Sequence, residues 1–96
     1  MGFRSLDAES QLKTGLAIVR QILKGLSKAP ELSLSLFEIW NDAETNSHIL
    51  IVWKGVWQLN PIKIPNERIK DCSRNHEYRN RMEGYLREAL KIRLNQ

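Results

Sequence analysis

Apolar residues recur along this chain with more than one period. Between Ser5 and Leu26, the residues Leu12, Leu16, Val19, Leu23 and Leu26 follow at intervals of four, three, four and three, with Ile22 beside them. That spacing places one apolar stripe on a helix and leaves Lys13, Arg20 and Lys24 on the opposite side. Ser5 is a suitable N-cap, and Asp7 and Glu9 then fall in the first turn, where the helix dipole favours anions. Gly15 costs about 1 kcal/mol inside a helix relative to alanine, so its presence points to the close approach of another element. Lys24, Gly25 and Lys28, followed by Pro30, read as a stop.

The middle of the chain changes period. Leu32, Leu34 and Leu36 alternate with Ser33 and Ser35, which predicts a strand over 32–40. Phe37 and Ile39 move the apolar positions to the other parity, as a bulge would. Residues 41–47 are polar and dense in turn formers, so they connect this strand to the next as an antiparallel hairpin with a longer loop. Ile49 to Trp53 is an unbroken apolar run. Ile49, Ile51 and Trp53 point one way in a strand, and Leu50 and Val52 the other. A strand apolar on both faces is covered twice or sits in an interface. Ile51 is therefore expected among the most buried residues, with Val52 close to it.

Gly55 then marks a bulge or tight turn. Val56 to Leu59 continues the strand or opens a third one. Asn60-Pro61 and Pro65 bracket Ile62-Lys63-Ile64, an edge strand or extended connection because proline donates no ladder hydrogen bond. Asn66 to Cys72 suits one or two helical turns capped by Asn66. Tyr78, Met82, Tyr85, Ala89 and Ile92 recur at four, three, four and three, with Leu86 and Leu90 widening the face. They predict a second long helix over 73–94.

The elements describe a single α+β domain over residues 1–96. A small antiparallel sheet of two to three strands is packed by an N-terminal and a C-terminal helix, in the order α-β-β-(β)-α. Covering the central strand takes one helix on each face, or dimerisation through the second face. The same order occurs in double-stranded-RNA-binding domains, but the lysine cluster that opens their last helix has no counterpart here. The likeness is one of order alone.

Composition adds a charge asymmetry. The net charge is +4. Residues 1–60 carry six basic and six acidic side chains, whereas residues 61–96 carry nine and five, so the excess lies in the last third. Cys72 is the single cysteine, which excludes an internal disulfide and favours a reducing compartment. The N-terminal stretch has no apolar run of a signal peptide, and no run approaches a membrane span. A cytoplasmic protein without a membrane partner is expected.

Candidate chemistry is sparse. Cys72 and His76 stand four apart, as a nucleophile and its base would on one helix, but Ser73 breaks that spacing and no oxyanion-type glycine cluster is near. His48 lies near Asp42 and Glu44, an acid–imidazole grouping that also suits a strand opening beside a polar loop. The glycines form no nucleotide-binding pattern. No catalytic residue, metal site or cofactor is expected. Lys63, Arg68, Lys70, Arg74 and Arg79 form the basic excess that could meet a nucleic acid. Glu77 with Arg81 and Glu83 with Arg87 are helix pairs that supply their own counterions. Tyr78 and Tyr85 fall in the apolar stripe and suit the core better than base stacking. Trp40, Trp53 and Trp57 lie in or beside the strands, with Trp57 the candidate for an exposed aromatic.

The expectation is thus a small non-catalytic binding or adaptor module. Its partner is a protein or a second copy, as a homodimer through the sheet, with Trp57, Val52 and Leu50 as contact residues. Nucleic-acid binding through residues 63–81 is the alternative.

Overall fold

A computed structural model describes residues 7–96. Ser5, the expected first cap, lies outside them. Helix α1 runs from Ala8 to Ser27, and Asp7 is its N-cap, accepting a 2.8 Å hydrogen bond from the Ser10 amide. Strand β1 is Leu36–Asp42 and strand β2 is Ser47–Lys54. Two short strands follow, β3 at Trp57–Gln58 and β4 at Ile62–Pro65. Helix α2 spans Asn66–Asp71 and helix α3 spans His76–Leu94. The fold is α+β, a small antiparallel sheet with its helices at the two ends of the chain.

The sheet is built on β2. β1 pairs with it antiparallel, Leu36 opposite Trp53 through Asp42 opposite Ser47. β3 and β4 both pair with the other side of β2, Trp57 opposite Lys54 and Ile62 opposite Leu50. They are two pieces of one lane, interrupted at Asn60-Pro61. The β1–β2 loop contains a single 3-10 turn, Ala43–Thr45, and reverses at Asn46 in the left-handed region (φ 54°). Gly55 (φ 64°) forms the tight turn between β2 and β3, a conformation that costs glycine little.

Three segments differ from the sequence expectation. The first strand opens at Leu36, not Leu32. Leu32 and Ser33 donate amide hydrogen bonds back to the Ala29 carbonyl, and Ser33 takes φ 50°, so this stretch turns and drops Leu32 into the core. Pro65 occupies the N-cap of α2, while Asn66 stands inside it with its side chain turned to His48. The last helix starts at His76, capped by Asn75 through a hydrogen bond from the Tyr78 amide. Its buried line runs Met82, Leu86, Ala89 and Leu90. Tyr78 and Tyr85 stand half-buried beside that line, and Ile92 is exposed.

The core lies on one face of the sheet. Leu50, Val52, Ile62 and Ile64 pack with Val19, Leu23 and Leu26 of α1 and with Leu86 and Leu90 of α3, while Ile69 and Cys72 fill the α2 end. Gly15 explains itself here. A Cβ at that position would collide with the Ile69 carbonyl oxygen, so α1 and α2 meet backbone to backbone. No helix among the described residues is long and apolar enough to cross a membrane.

Candidate functional site

Alternation along β2 separates two faces. Leu50 and Val52 are sealed in the core, at 0% and 2% exposure. Ile49, Ile51 and Trp53 point the other way, are half-buried, and do not join the core cluster. The expectation for Ile51 is therefore corrected. Both parities of the run are apolar, but α1 and α3 cover only the even one. Leu50 and Val52 are corrected for the same reason, since buried side chains cannot serve as partner contacts.

The helix-free face continues into β1. Leu36 stands opposite Trp53, Glu38 opposite Ile51, and Trp40 opposite Ile49. Paired residues share a face, so Leu36, Trp40, Ile49, Ile51 and Trp53 form one apolar surface over two lanes. Leu36 is 54% and Trp40 59% exposed. Glu38 lies in the β1 lane and spends one carboxylate oxygen on Trp40 Nε1 at 3.1 Å. Lys63 lies in the β4 lane opposite Ile49, and its ammonium has no carboxylate partner among the described residues. The face thus has an apolar centre, an anion near one margin and a cation near the other.

Trp57 is 75% exposed, but it stands at the β2–β3 turn beside Lys54, apart from the surface just described. It lines an open hollow with Leu59, Asn60 and Arg93.

Three of the five basic residues singled out in the sequence are engaged locally. Lys70 pairs with Glu67 at 2.6 Å and Arg74 with Asp71 at 2.9 Å. Arg79 donates from Nε to the Cys72 carbonyl, closing the turn before α3. Arg68 lies 5.3 Å over the Tyr85 ring, and Lys63 belongs to the sheet. On α3, Glu77 pairs with Arg81, and Arg87 bonds both Glu83 and Glu31. Local i,i+3 spacing supplied the α2 counterions, which a count of excess charge does not reveal.

The nucleophile and imidazole candidates separate as well. Cys72 is buried, its Sγ directed to the Arg68 and Tyr78 carbonyls. Burial pushes the Cys72 thiol pKa up, Asp71 adds to the rise, and Arg79 opposes it. A protonated thiol is a poor nucleophile at neutral pH. His76 is exposed at the start of α3 and does not meet it. His48 turns away from Asp42 and Glu44. Its Nδ1 lies 2.7 Å from Asn66 Oδ1, and Asn66 Nδ2 donates to Asn46 Oδ1 at 3.1 Å. This His48–Asn66–Asn46 chain ties the start of α2 to the sheet. No group of three or more metal-ligating side chains occurs among the described residues.

One feature went unread in the sequence. Arg20 and Lys24 on α1, and Lys28 at its C-cap, stand alongside β1, which is an edge of the sheet among the described residues. Two adjoining hollows of about 340 and 500 Å³ separate the helix from the strand and share Phe37. Helical spacing put these cations on one side of α1, but nothing local named the strand beside them. Comparison with protein-family models, with curated proteins and with solved structures returns no match.

Proposed function

We propose that this chain is a non-catalytic binding module that self-associates through the helix-free face of its sheet. The observation that carries the reading is the apolar surface of Leu36, Trp40, Ile49, Ile51 and Trp53, left outside the core in an otherwise ordinary two-layer domain. Contiguous apolar patches of this kind mark interaction surfaces.

Charge placement favours a second copy as the occupant. Consider a two-fold axis between two sheets, parallel to β2. It stacks each β2 lane on its counterpart and sets β1 of one copy over the β4 lane of the other. Glu38 and Lys63 lie in opposite outer lanes, one cross-strand pair apart along β2. That offset is about 7 Å, within reach of two long side chains. Each copy therefore offers its anion to the other's cation, twice per dimer, as a self-complementary interface requires.

Size limits the strength. Three lanes span about 14 Å and the eight residues of β2 about 27 Å, so the face covers on the order of 400 Å² per copy. That is at the low end for specific interfaces, and the association is weak and reversible.

Sedimentation equilibrium from a few micromolar to several hundred micromolar tests the reading. The wild-type chain should self-associate, and Ile51→Glu should be a folded monomer. A wild-type chain that stays monomeric throughout, or an Ile51→Glu variant that associates as well as wild type, overturns it.

The nucleic-acid alternative draws less support. Lys70 and Arg74 have carboxylate partners and Arg79 closes a turn, which leaves Lys63 and Arg68 on different elements. Absence of any gel shift with generic DNA or RNA at low salt rejects it.

A further inference from the structure

The groove between α1 and β1 shares Leu36, Glu38 and Trp40 with the helix-free face, but it runs along the outer edge of β1 and has a wall of three cations on its helix side. β1 is a strand of seven residues that, among the described residues, pairs only with β2 and so forms an edge. Alternate N–H and C=O groups along its outer side lack a strand partner among the described residues. Such edges are usually blunted by lysine, proline or a covering element. Leu36 to Asp42 contains neither lysine nor proline, and what stands beside it is an open groove.

The groove has an apolar floor and a basic wall. Leu34, Leu36, Phe37, Ile39 and Trp40 come from the strand side, and Arg20, Lys24 and Lys28 from the helix side. All three cations are exposed and have no carboxylate partner among the described residues. Glu38 also lines the Arg20 end, where one of its oxygens is held by Trp40 Nε1. The helix dipole accounts for Lys24 and Lys28 near the end of α1, but Arg20 is about two turns earlier, beyond that effect.

We infer that this groove binds an extended acidic peptide segment, which adds to β1 as a further antiparallel or parallel strand. Main-chain hydrogen bonds to the free edge supply affinity in this mode, and alternate side chains supply specificity. Residues on the helix side of the added strand meet Arg20, Lys24 and Lys28, so glutamate or aspartate is favoured at every second position. A second copy is a poor occupant. Two-fold pairing of β1 with β1 would bring the two basic walls together, where like charges oppose each other.

The test uses a short fluorescent peptide alternating glutamate and valine, with blocked ends, and the full-length protein. Controls are the same peptide with lysine for glutamate and a version with prolines at central positions, which cannot add a strand. Anisotropy should show binding of the Glu–Val peptide alone, weakening as salt rises. Lys24→Glu with Lys28→Glu should lower the affinity by about tenfold or more, without loss of fold, because both side chains are exposed. Hydrogen exchange should slow at β1 amides when the peptide is bound. Ile51→Glu, at a β2 position that lines neither hollow, should bind the peptide as wild type does. The inference is overturned if the proline peptide binds equally, if protection appears away from β1, if Ile51→Glu abolishes binding, or if no binding occurs at low salt.

Discussion

The two faces of β2 share a strand and a composition, yet they have opposite fates. Leu50 and Val52 are shut into the core, while Ile49, Ile51 and Trp53, one residue out of phase, are not part of it. Hydrophobicity does not separate them, since isoleucine and tryptophan lose as much by exposure as leucine and valine. What separates them is the side on which α1 and α3 lie. A side chain is buried by its neighbours, and both long helices are on one side.

Mutations at adjacent positions should expose this contrast. Leu50→Ala removes a fully buried side chain and should cost about 2–5 kcal/mol. Ile51→Ala, next to it, should cost roughly 1 kcal/mol or less. Chemical denaturation of the two variants measures both, and equal losses would mean that the two faces are packed alike.

Gly15→Ala measures how little slack the covered side has. The new methyl group would run into the Ile69 carbonyl, which belongs to backbone and cannot swing aside. Elsewhere in a helix this change gains up to about 1 kcal/mol. Here it should lose about 1–3 kcal/mol as α1 and α2 are pushed apart. A raised denaturation midpoint would contradict the backbone contact.

The smallest effect is expected at the solvent end of α1. Bonding to the Ser10 amide holds the Asp7 carboxyl below its ordinary pKa. A depressed folded-state pKa stabilises the fold above the unfolded value, and that contribution is lost as pH falls through the folded one. Asp7→Asn keeps the cap without the titration. The variant should flatten the acid side of the stability profile and change little at neutral pH. Thermal melts across the acidic range would show it, and an unchanged acid limb would mean that the cap does not titrate.

Much of the fold was legible in local pattern. The 3.6-residue period of α1, the turn-rich loop before β2 and the Gly55 turn are properties of neighbours in sequence, and they act through short-range sterics and hydrogen bonds. Leu32 misled because alternation describes a turn as readily as a strand. The choice was made by hydrogen bonds to Ala29 at the helix end. Tyr78 and Ile92 misled because the α3 stripe is broad enough to rotate; Tyr85 packs against the core but stays half-buried, and only packing against α1, α2 and the sheet selects Leu86 and Leu90.

By itself, then, the sequence determined that two long helices flank a small antiparallel sheet and that the central strand is apolar on both sides. Local propensity and periodicity settle such things because they need no knowledge of distant residues. Tertiary structure decided which side of β2 is covered, which cations keep a free charge, and that Arg20, Lys24 and Lys28 face an open strand edge. Each of these depends on elements far apart in the chain. Either helix could lie on either face without a change in its own pattern, so only their joint packing distinguishes the outcomes.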